Sequence, residues 1–251
     1  MKTVALVTGA SAGLGVEFAR QLNKRGYALV LAARRKERLD QLAKELGNAR
    51  AVAIDLSKKD SAGRLIADLN SNGEEVDLLI NNAGFGLIGR FAKADSKRLR
   101  QMIDLNVGTL TELCRAVAPR MIERKSGGIV NVASTAAFQP GPNMAVYFAT
   151  KAFVLSLSEA LHEELKPHGV RVTCLCPGPT RTEFGEVAGF GGNVMFDKVA
   201  MDSPEVVVAG LDGLDKNKAV VVPGLVNKIG ATSTRFAPRS VVRKIAGAIK
   251  Y

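Results

Sequence analysis

The sequence predicts an α/β fold, a doubly wound parallel sheet with helices on both faces. Three observations carry this. Short runs rich in Val, Ile and Leu recur along the chain and alternate with helix-length segments. The runs are apolar without interruption, as in strands buried on both faces, rather than alternating in and out. No repeat, low-complexity block or long Gly/Ser- or Pro-rich linker divides the 251 residues, so a single domain over 1–251 is expected. Strands that alternate with helices require right-handed crossovers, which lay helices over both faces of a parallel sheet.

The first strand is Val4–Val7. It runs into Thr8-Gly9-Ala10-Ser11-Ala12-Gly13-Leu14-Gly15, and helix Val16–Arg25 follows. Glycines there permit a tight turn and let the backbone approach an anion, while the helix N-terminus offers unpaired N–H groups and a positive dipole. Set between strand and helix, the turn suits the pyrophosphate of a dinucleotide, although as an isolated string it would be a weak signal. The second strand, Ala28–Ala32, ends in Ala33-Arg34-Arg35 ahead of helix Lys36–Leu46. Dinucleotide sites often carry an acid here for the adenosine ribose hydroxyls. An acid repels a 2′-phosphate, whereas a guanidinium bonds it, so Arg34 and Arg35 point to NADP(H) rather than NAD(H). The plain alternative is a solvated helix start.

The third strand, Ala51–Ile54, leads to Asp55-Leu56, which can meet an adenine amine. The fourth, Leu78–Ile80, leads to Asn81-Asn82-Ala83-Gly84, small residues that leave room at the carboxyl edge of the sheet. Open α/β sheets bind ligands at that edge. A helical stretch over Ser96–Arg124 follows, then the fifth strand, Ile129–Val132, and Ser134. In helix Val146–Lys166, Tyr147 and Lys151 stand four apart, on one face. An ammonium near a phenol favours the phenolate and lowers its pKa toward neutrality. Such a phenol can exchange a proton with an alcohol oxygen while Ser134 holds a carbonyl oxygen. The sixth and seventh strands are Val170–Leu175 and Ala219–Val222. Between them, Thr182–Met201 has no clear period and contains Gly185, Gly189, Gly191 and Gly192. A flexible substrate loop is expected there.

Together these residues resemble the short-chain dehydrogenase/reductase family from Thr8 to Gly224, in family order. Gly9, Gly13 and Gly15 match its cofactor turn, and Asn81–Gly84 its Asn-Asn-Ala-Gly element. Asn106, Ser134, Tyr147 and Lys151 match its catalytic asparagine, serine, tyrosine and lysine, and Pro177-Gly178 with Thr180 and Thr182 its nicotinamide segment. The resemblance implies a Rossmann-type fold. It makes Tyr147 the acid/base, and Lys151 both a ribose ligand and the tuner of the tyrosine. Ser134 polarises the carbonyl, and Asn106 holds a water that links Lys151 to solvent. Cofactor contacts are expected from Gly9, Ser11–Gly15, Arg34, Arg35, Asp55, Leu56, Asn82–Gly84, Tyr147, Lys151, Pro177, Gly178, Thr180 and Thr182. A homo-oligomer, dimer or tetramer, is implied as well.

The formal net charge is +11. No acid follows Asp215, and the last 36 residues carry eight bases; the rest of the chain holds 27 bases against 24 acids. A near-neutral body does not support a nucleic-acid-reading surface. The basic tail, 225–251, starts a helix near Pro238 with Val242, Ile245, Ala246 and Ile249 on one face. It fits packing on the body or a partner subunit, an anionic membrane surface, or attraction of an anionic substrate. No apolar stretch reads as a signal peptide or a membrane span. Three cysteines suit a reducing compartment, so a cytoplasmic location is expected. Cys174 and Cys176 read as core thiols, His162 as a helix-surface or interface residue, and no metal site is expected. Phe85, Phe138, Phe148, Phe184, Phe190, Met195, Phe196 and Met201 are candidates for the pocket mouth. The function expected is reduction of an apolar ketone or aldehyde with NADPH, or the reverse. The alternatives are a dinucleotide-binding scaffold without turnover and a membrane-associated reductase of lipid ketones.

Overall fold

Residues 2–183 and 200–248 are described by the computed structural model. The elements run β1 (Lys2–Thr8), α1 (Gly13–Lys24), β2 (Leu29–Ala33), α2 (Lys36–Leu46), β3 (Ala49–Ala53), α3 (Ser61–Ser71), β4 (Glu74–Asn81), α4 (Ser96–Ile103), α5 (Leu110–Glu123), β5 (Gly127–Val132), α6 (Ala145–Leu165), β6 (Val170–Leu175), α7 (Ser203–Asp215), β7 (Val220–Val221), α8 (Leu225–Ser233) and α9 (Arg239–Ala248). One parallel sheet has the order β3-β2-β1-β4-β5-β6-β7. The chain enters at β1, winds outward to β3, and returns beside β1 as β4 before winding the other way. That reversal opens a crevice at the carboxyl ends of β1 and β4, where open α/β sheets take ligands. The Rossmann-type expectation is met.

Each face of the sheet carries its own core. Leu65, Leu69, Leu113, Val117, Val154 and Leu155 from α3, α5 and α6 cover one side. Phe18, Leu22, Leu39, Leu42, Val206 and Leu211 from α1, α2 and α7 cover the other. Full burial of each such side chain contributes about 1.5–3 kcal/mol. This double cover explains the unbroken apolar runs of β1, β2 and β5.

Several expected boundaries shift for physical reasons. β4 starts at Glu74, not Leu78, because Glu74 and Val76 already pair with Lys2 and Val4. Its first residues are polar because Glu75 and Asp77 meet Arg124 at the sheet's amino edge. The single helix expected over Ser96–Arg124 is two helices joined by a π-helical turn, Asp104–Thr109. π turns often mark functional sites, and this one carries Asn106. His162 is not on the surface. It is 4% exposed, with Nδ1 2.8 Å from the Val172 carbonyl, because the long helix α6 lies flat on β6. In α9, Val242 and Ala246 are buried, but Ile245 is 62% exposed, so the expected apolar face is split. Ile249 lies outside the described residues.

The ends of the expected loop Thr182–Met201 are tied together: Thr180 bridges to Met201, Arg181 N–H donates to the Met201 carbonyl at 3.0 Å, and Arg181 pairs with Asp202 at 2.7 Å. Positions 184–199 lie outside the described residues, and Phe184, Phe190, Met195 and Phe196 with them. Among the described residues no helix is long and apolar enough to cross a membrane.

Candidate active site

The crevice is a cleft of about 640 Å³. Its floor at one end is the turn after β1. Gly9 and Gly13 adopt positive φ, +66° and +53°, which L side chains rarely tolerate. A Cβ on Gly15 would overlap the Gly9 carbonyl, so α1 packs against the turn only because position 15 is bare. Ala12, the residue capping α1, has no side-chain oxygen to take the first N–H groups. The helix end therefore presents them to an anion. These features fit a dinucleotide pyrophosphate.

Thr8 ties this turn to β4. Its hydroxyl donates to the Ile80 carbonyl at 3.1 Å and accepts the N–H groups of Asn82 and Ala83, each at 3.0 Å. Asn82 returns a bond to the Thr8 carbonyl at 2.9 Å. Ala33, Arg34 and Arg35 line the cleft at the carboxyl end of β2, with Asp55 and Leu56 beside them. Arg35 Nε donates to Ser11 Oγ at 3.2 Å, tying the basic pair to the glycine turn. Burial pushes the Asp55 carboxyl up, but bonds from Ser57 and the charge of Arg34 bring it below its ordinary value.

At the other end lie Ser134, Tyr147 and Lys151. Ser134 caps the short 3₁₀ turn Thr135–Phe138, its Oγ accepting Ala136 N–H at 3.1 Å. Lys151, 6% exposed, donates to the Val132 carbonyl at 2.8 Å and sits 5.8 Å from the centre of the Tyr147 ring. One sequence expectation fails here. Burial pushes the Tyr147 phenol up to about 12, and its bond with Ser134 offsets only part of that. The lysine is the group moved toward neutrality: burial brings it down to about 8. At neutral pH the tyrosine is therefore a neutral phenol.

Asn106 backs the site and does not line it. Its amide donates to the Phe85 carbonyl at 3.0 Å and to Thr150 Oγ1 at 3.1 Å, and its oxygen accepts Phe85 N–H at 3.1 Å. A Cβ on Gly84 would come within 3.0 Å of Asn106 Oδ1 and 3.6 Å of Lys151 Nζ. The bare residue lets the loop after β4 lie against both. A separate buried polar chain runs from Asn81 to Asn131, bonded at 2.9 Å, and on to Ser158 of α6 at 3.0 Å. The chain fixes the helix that carries Tyr147 and Lys151. The sequence reading assigned no role to Asn131 or Ser158; a polar residue within the apolar strand β5 was the available signal for Asn131, and Ser158 in α6 carried none.

Pro177, Gly178, Thr180 and Thr182 close the cleft from the β6 side. Asn227 of α8 packs on Gly178, so the C-terminal segment backs the site. Of the expected mouth residues, Phe85 and Phe148 line the cleft, joined by Leu105 and Met144. Phe138 and Met201 pack into the two sheet cores instead. Cys174 and Cys176 are buried, with their sulfurs 3.7 Å apart. Among the described residues no cluster fits a metal ion.

The family model for short chain dehydrogenase matches residues 3–189. The chain belongs to the short-chain dehydrogenase family. A curated relative, the NADP-dependent 3-hydroxy acid dehydrogenase of Escherichia coli O6:H1, is 39% identical over 187 residues, which are 73% of this chain and 75% of the relative. The solved short-chain dehydrogenase from Sphingobium yanoikuyae in complex with NADPH is 34% identical, with a TM-score of 0.84 over 100% of this chain and 97% of that one. The bulky-bulky ketone specific alcohol dehydrogenase from Comamonas testosteroni is 32% identical, with a TM-score of 0.79 over 100% and 95%. This short-chain dehydrogenase is an NADP(H)-dependent oxidoreductase.

Proposed function

We propose that the enzyme reduces apolar ketones or aldehydes to alcohols with NADPH, or runs the reverse. Candidates are 3-oxoacyl, steroid-like and aromatic ketones. The observation that carries this is one cleft with two arginines at its β2 end and Ser134, Tyr147 and Lys151 at the other. The walls beside Tyr147 are Phe85, Met144 and Phe148, which suit an apolar substrate. The Comamonas protein's specificity for bulky ketones supports the same class.

NADPH, when bound, supplies the hydride. The chain does the rest. The Ser134 hydroxyl donates to the carbonyl oxygen and polarises it. The neutral Tyr147 phenol delivers a proton to that oxygen as negative charge develops on it. Lys151, held by the Val132 carbonyl beside the phenol, stabilises the phenolate left behind. Asn106 is a positioning residue: its three bonds set the β4 loop against α6.

The purified protein, mixed with NADPH and a panel of aryl and alkyl ketones, is expected to oxidise the cofactor, fastest with the larger apolar members. Tight NADPH binding with no turnover on any carbonyl would favour the scaffold reading instead.

A specific surface favours a second proposal, about where the enzyme works. Leu225, Val226, Ile229, Phe236, Val241 and Ile245 are exposed, Phe236 at 85%. They lie in a stretch with Lys228, Arg235, Arg239, Arg243 and Lys244 and without one acid. Apolar side chains among bases suit an anionic lipid surface, whereas two copies of this patch would bring like charges together. The protein is expected to sediment with vesicles of phosphatidylcholine and phosphatidylglycerol, and less so at high salt. Val226→Asn, Ile229→Asn and Phe236→Asn together should abolish this. Failure to sediment, or light scattering that shows the triple variant breaking an oligomer, would instead assign the patch to contact between copies.

A further inference from the structure

The sequence assigned no role to Glu183. In the structure its carboxylate sits between two guanidiniums at the β2 end of the cleft. Arg35 Nη1 lies 3.0 Å from Oε2, and Arg38 Nη1 lies 2.6 Å from Oε1 and 2.9 Å from Oε2. The same Arg35 bonds Ser11 of the glycine turn through Nε at 3.2 Å and Nη2 at 3.1 Å. Glu183 and Arg35 both line the cleft. The preceding residue, Thr182, lies against the turn, its Cβ 3.1 Å from where a Cβ on Gly13 would stand. The backbone therefore delivers a carboxylate to Arg35, one of the two arginines that the sequence reading assigns to the 2′-phosphate.

We propose that Glu183 is an internal competitor for the 2′-phosphate of NADPH and so tunes the enzyme's discrimination between NADPH and NADH. In the free protein it neutralises Arg35 and Arg38 as an anion with planar oxygens, the geometry that guanidinium forks prefer. Arg35 and Arg38 in turn hold its carboxyl below the usual carboxylate range. A 2′-phosphate entering beside Arg35 finds that donor engaged and meets a negative charge next to it. Binding then requires Glu183 to release the guanidiniums. The exchange is feasible because the pair is accessible, 43% exposed on each side, and accessible ion pairs are weak. NADH has no 2′-phosphate and does not need the exchange. Glu183 therefore acts against NADPH selectively. Arg34 is not in this cage; it lines the cleft beside Asp55, whose carboxyl its charge helps to lower.

The proposal rests on the NADP(H) reading of the cleft, and its test keeps the two apart. Kd values for NADPH and NADH are measured on the full chain by fluorescence titration without substrate, for wild type, Glu183→Gln, Glu183→Ala and Arg34→Ala. Removing the carboxylate is expected to tighten NADPH by about 3–10-fold, the range of an accessible charge pair, and to change NADH by less than about 2-fold. Adenosine 2′,5′-bisphosphate should tighten with NADPH, and adenosine 5′-monophosphate should not. Unchanged or weaker NADPH binding in both Glu183 variants overturns the proposal. Equal shifts for the two cofactors also overturn it, because they would reflect only altered packing on the glycine turn. Arg34→Ala reports on the underlying reading: it should weaken NADPH by about 10-fold or more and NADH little. Equal losses there would remove the 2′-phosphate site and the proposal together.

Discussion

Tyr147→Phe is expected to lower kcat with any ketone by about 10³-fold or more, the upper range for loss of a general acid. The substitution removes one oxygen and leaves the ring in place. That ring is 8% exposed and packs edge-on against Phe148, with centroids 6.1 Å apart. Melting temperature and NADPH affinity should therefore stay close to wild type, and the loss should appear in the chemical step. The ordinary phenol pKa is 10, and burial lifts this one to about 12, so wild-type Tyr147 is protonated across the physiological range. Reduction needs that proton and should show no loss through Tyr147 ionisation below pH 10. Stopped-flow measurement of NADPH oxidation decides it: a variant retaining more than about a tenth of the activity could not have lost its proton donor.

The second large effect is at Lys151. Lys151→Met is expected to cost about 10²–10³-fold in kcat/KM, because the phenolate formed in the transition state loses its neighbouring charge. Stability should move the other way. The buried ammonium titrates at about 8 against an ordinary 10.5. At pH 7 both folded and unfolded chains hold this proton, and the folded state carries the full desolvation cost, about 3 kcal/mol by linkage. Between pH 8 and 10.5 the folded state has shed its proton while the unfolded state keeps it, so wild-type stability rises with pH there. Methionine removes the cost but leaves the Val132 carbonyl without its donor, a loss of about 1–3 kcal/mol. The variant should therefore be as stable as wild type, or more so, at pH 7. Wild type should then gain about 3 kcal/mol on the variant as the pH approaches 10.5. Urea midpoints at pH 7 and 10 test this, and a variant clearly less stable at pH 7 would overturn it.

These two residues show what was legible. Their pairing follows from a four-residue spacing in a helix, a local property, and their roles from the resemblance to the family motif. The glycine turn and the arginines after β2 were legible for the same reason: each is a short string beside a strand end. The proton states were not. Lysine beside tyrosine suggested a lowered phenol pKa, yet burial raises the phenol and lowers the lysine. Burial depends on every element packed around α6, including the strand and turn that carry Val132 and Ser134. Asn106 was legible as a residue type, but not its setting, because a helical period continues smoothly through Ser96–Arg124 and hides the π turn. His162 was misplaced because one helix can hide a polar ring against β6, where the Val172 carbonyl satisfies it.

The sequence by itself determined the fold class, a doubly wound parallel sheet, and the residue types that stand at its strand ends. Uninterrupted apolar runs demand a doubly covered sheet, and glycines between β1 and α1 leave room for an anion to approach the backbone. Only the tertiary structure decided which groups carry protons, that Asn106 braces the site from behind, and that Glu183 reaches Arg35 across 148 residues of chain. Those outcomes depend on desolvation and on distances between segments remote in sequence. No local pattern encodes either, because both are set only when the helices close over the sheet.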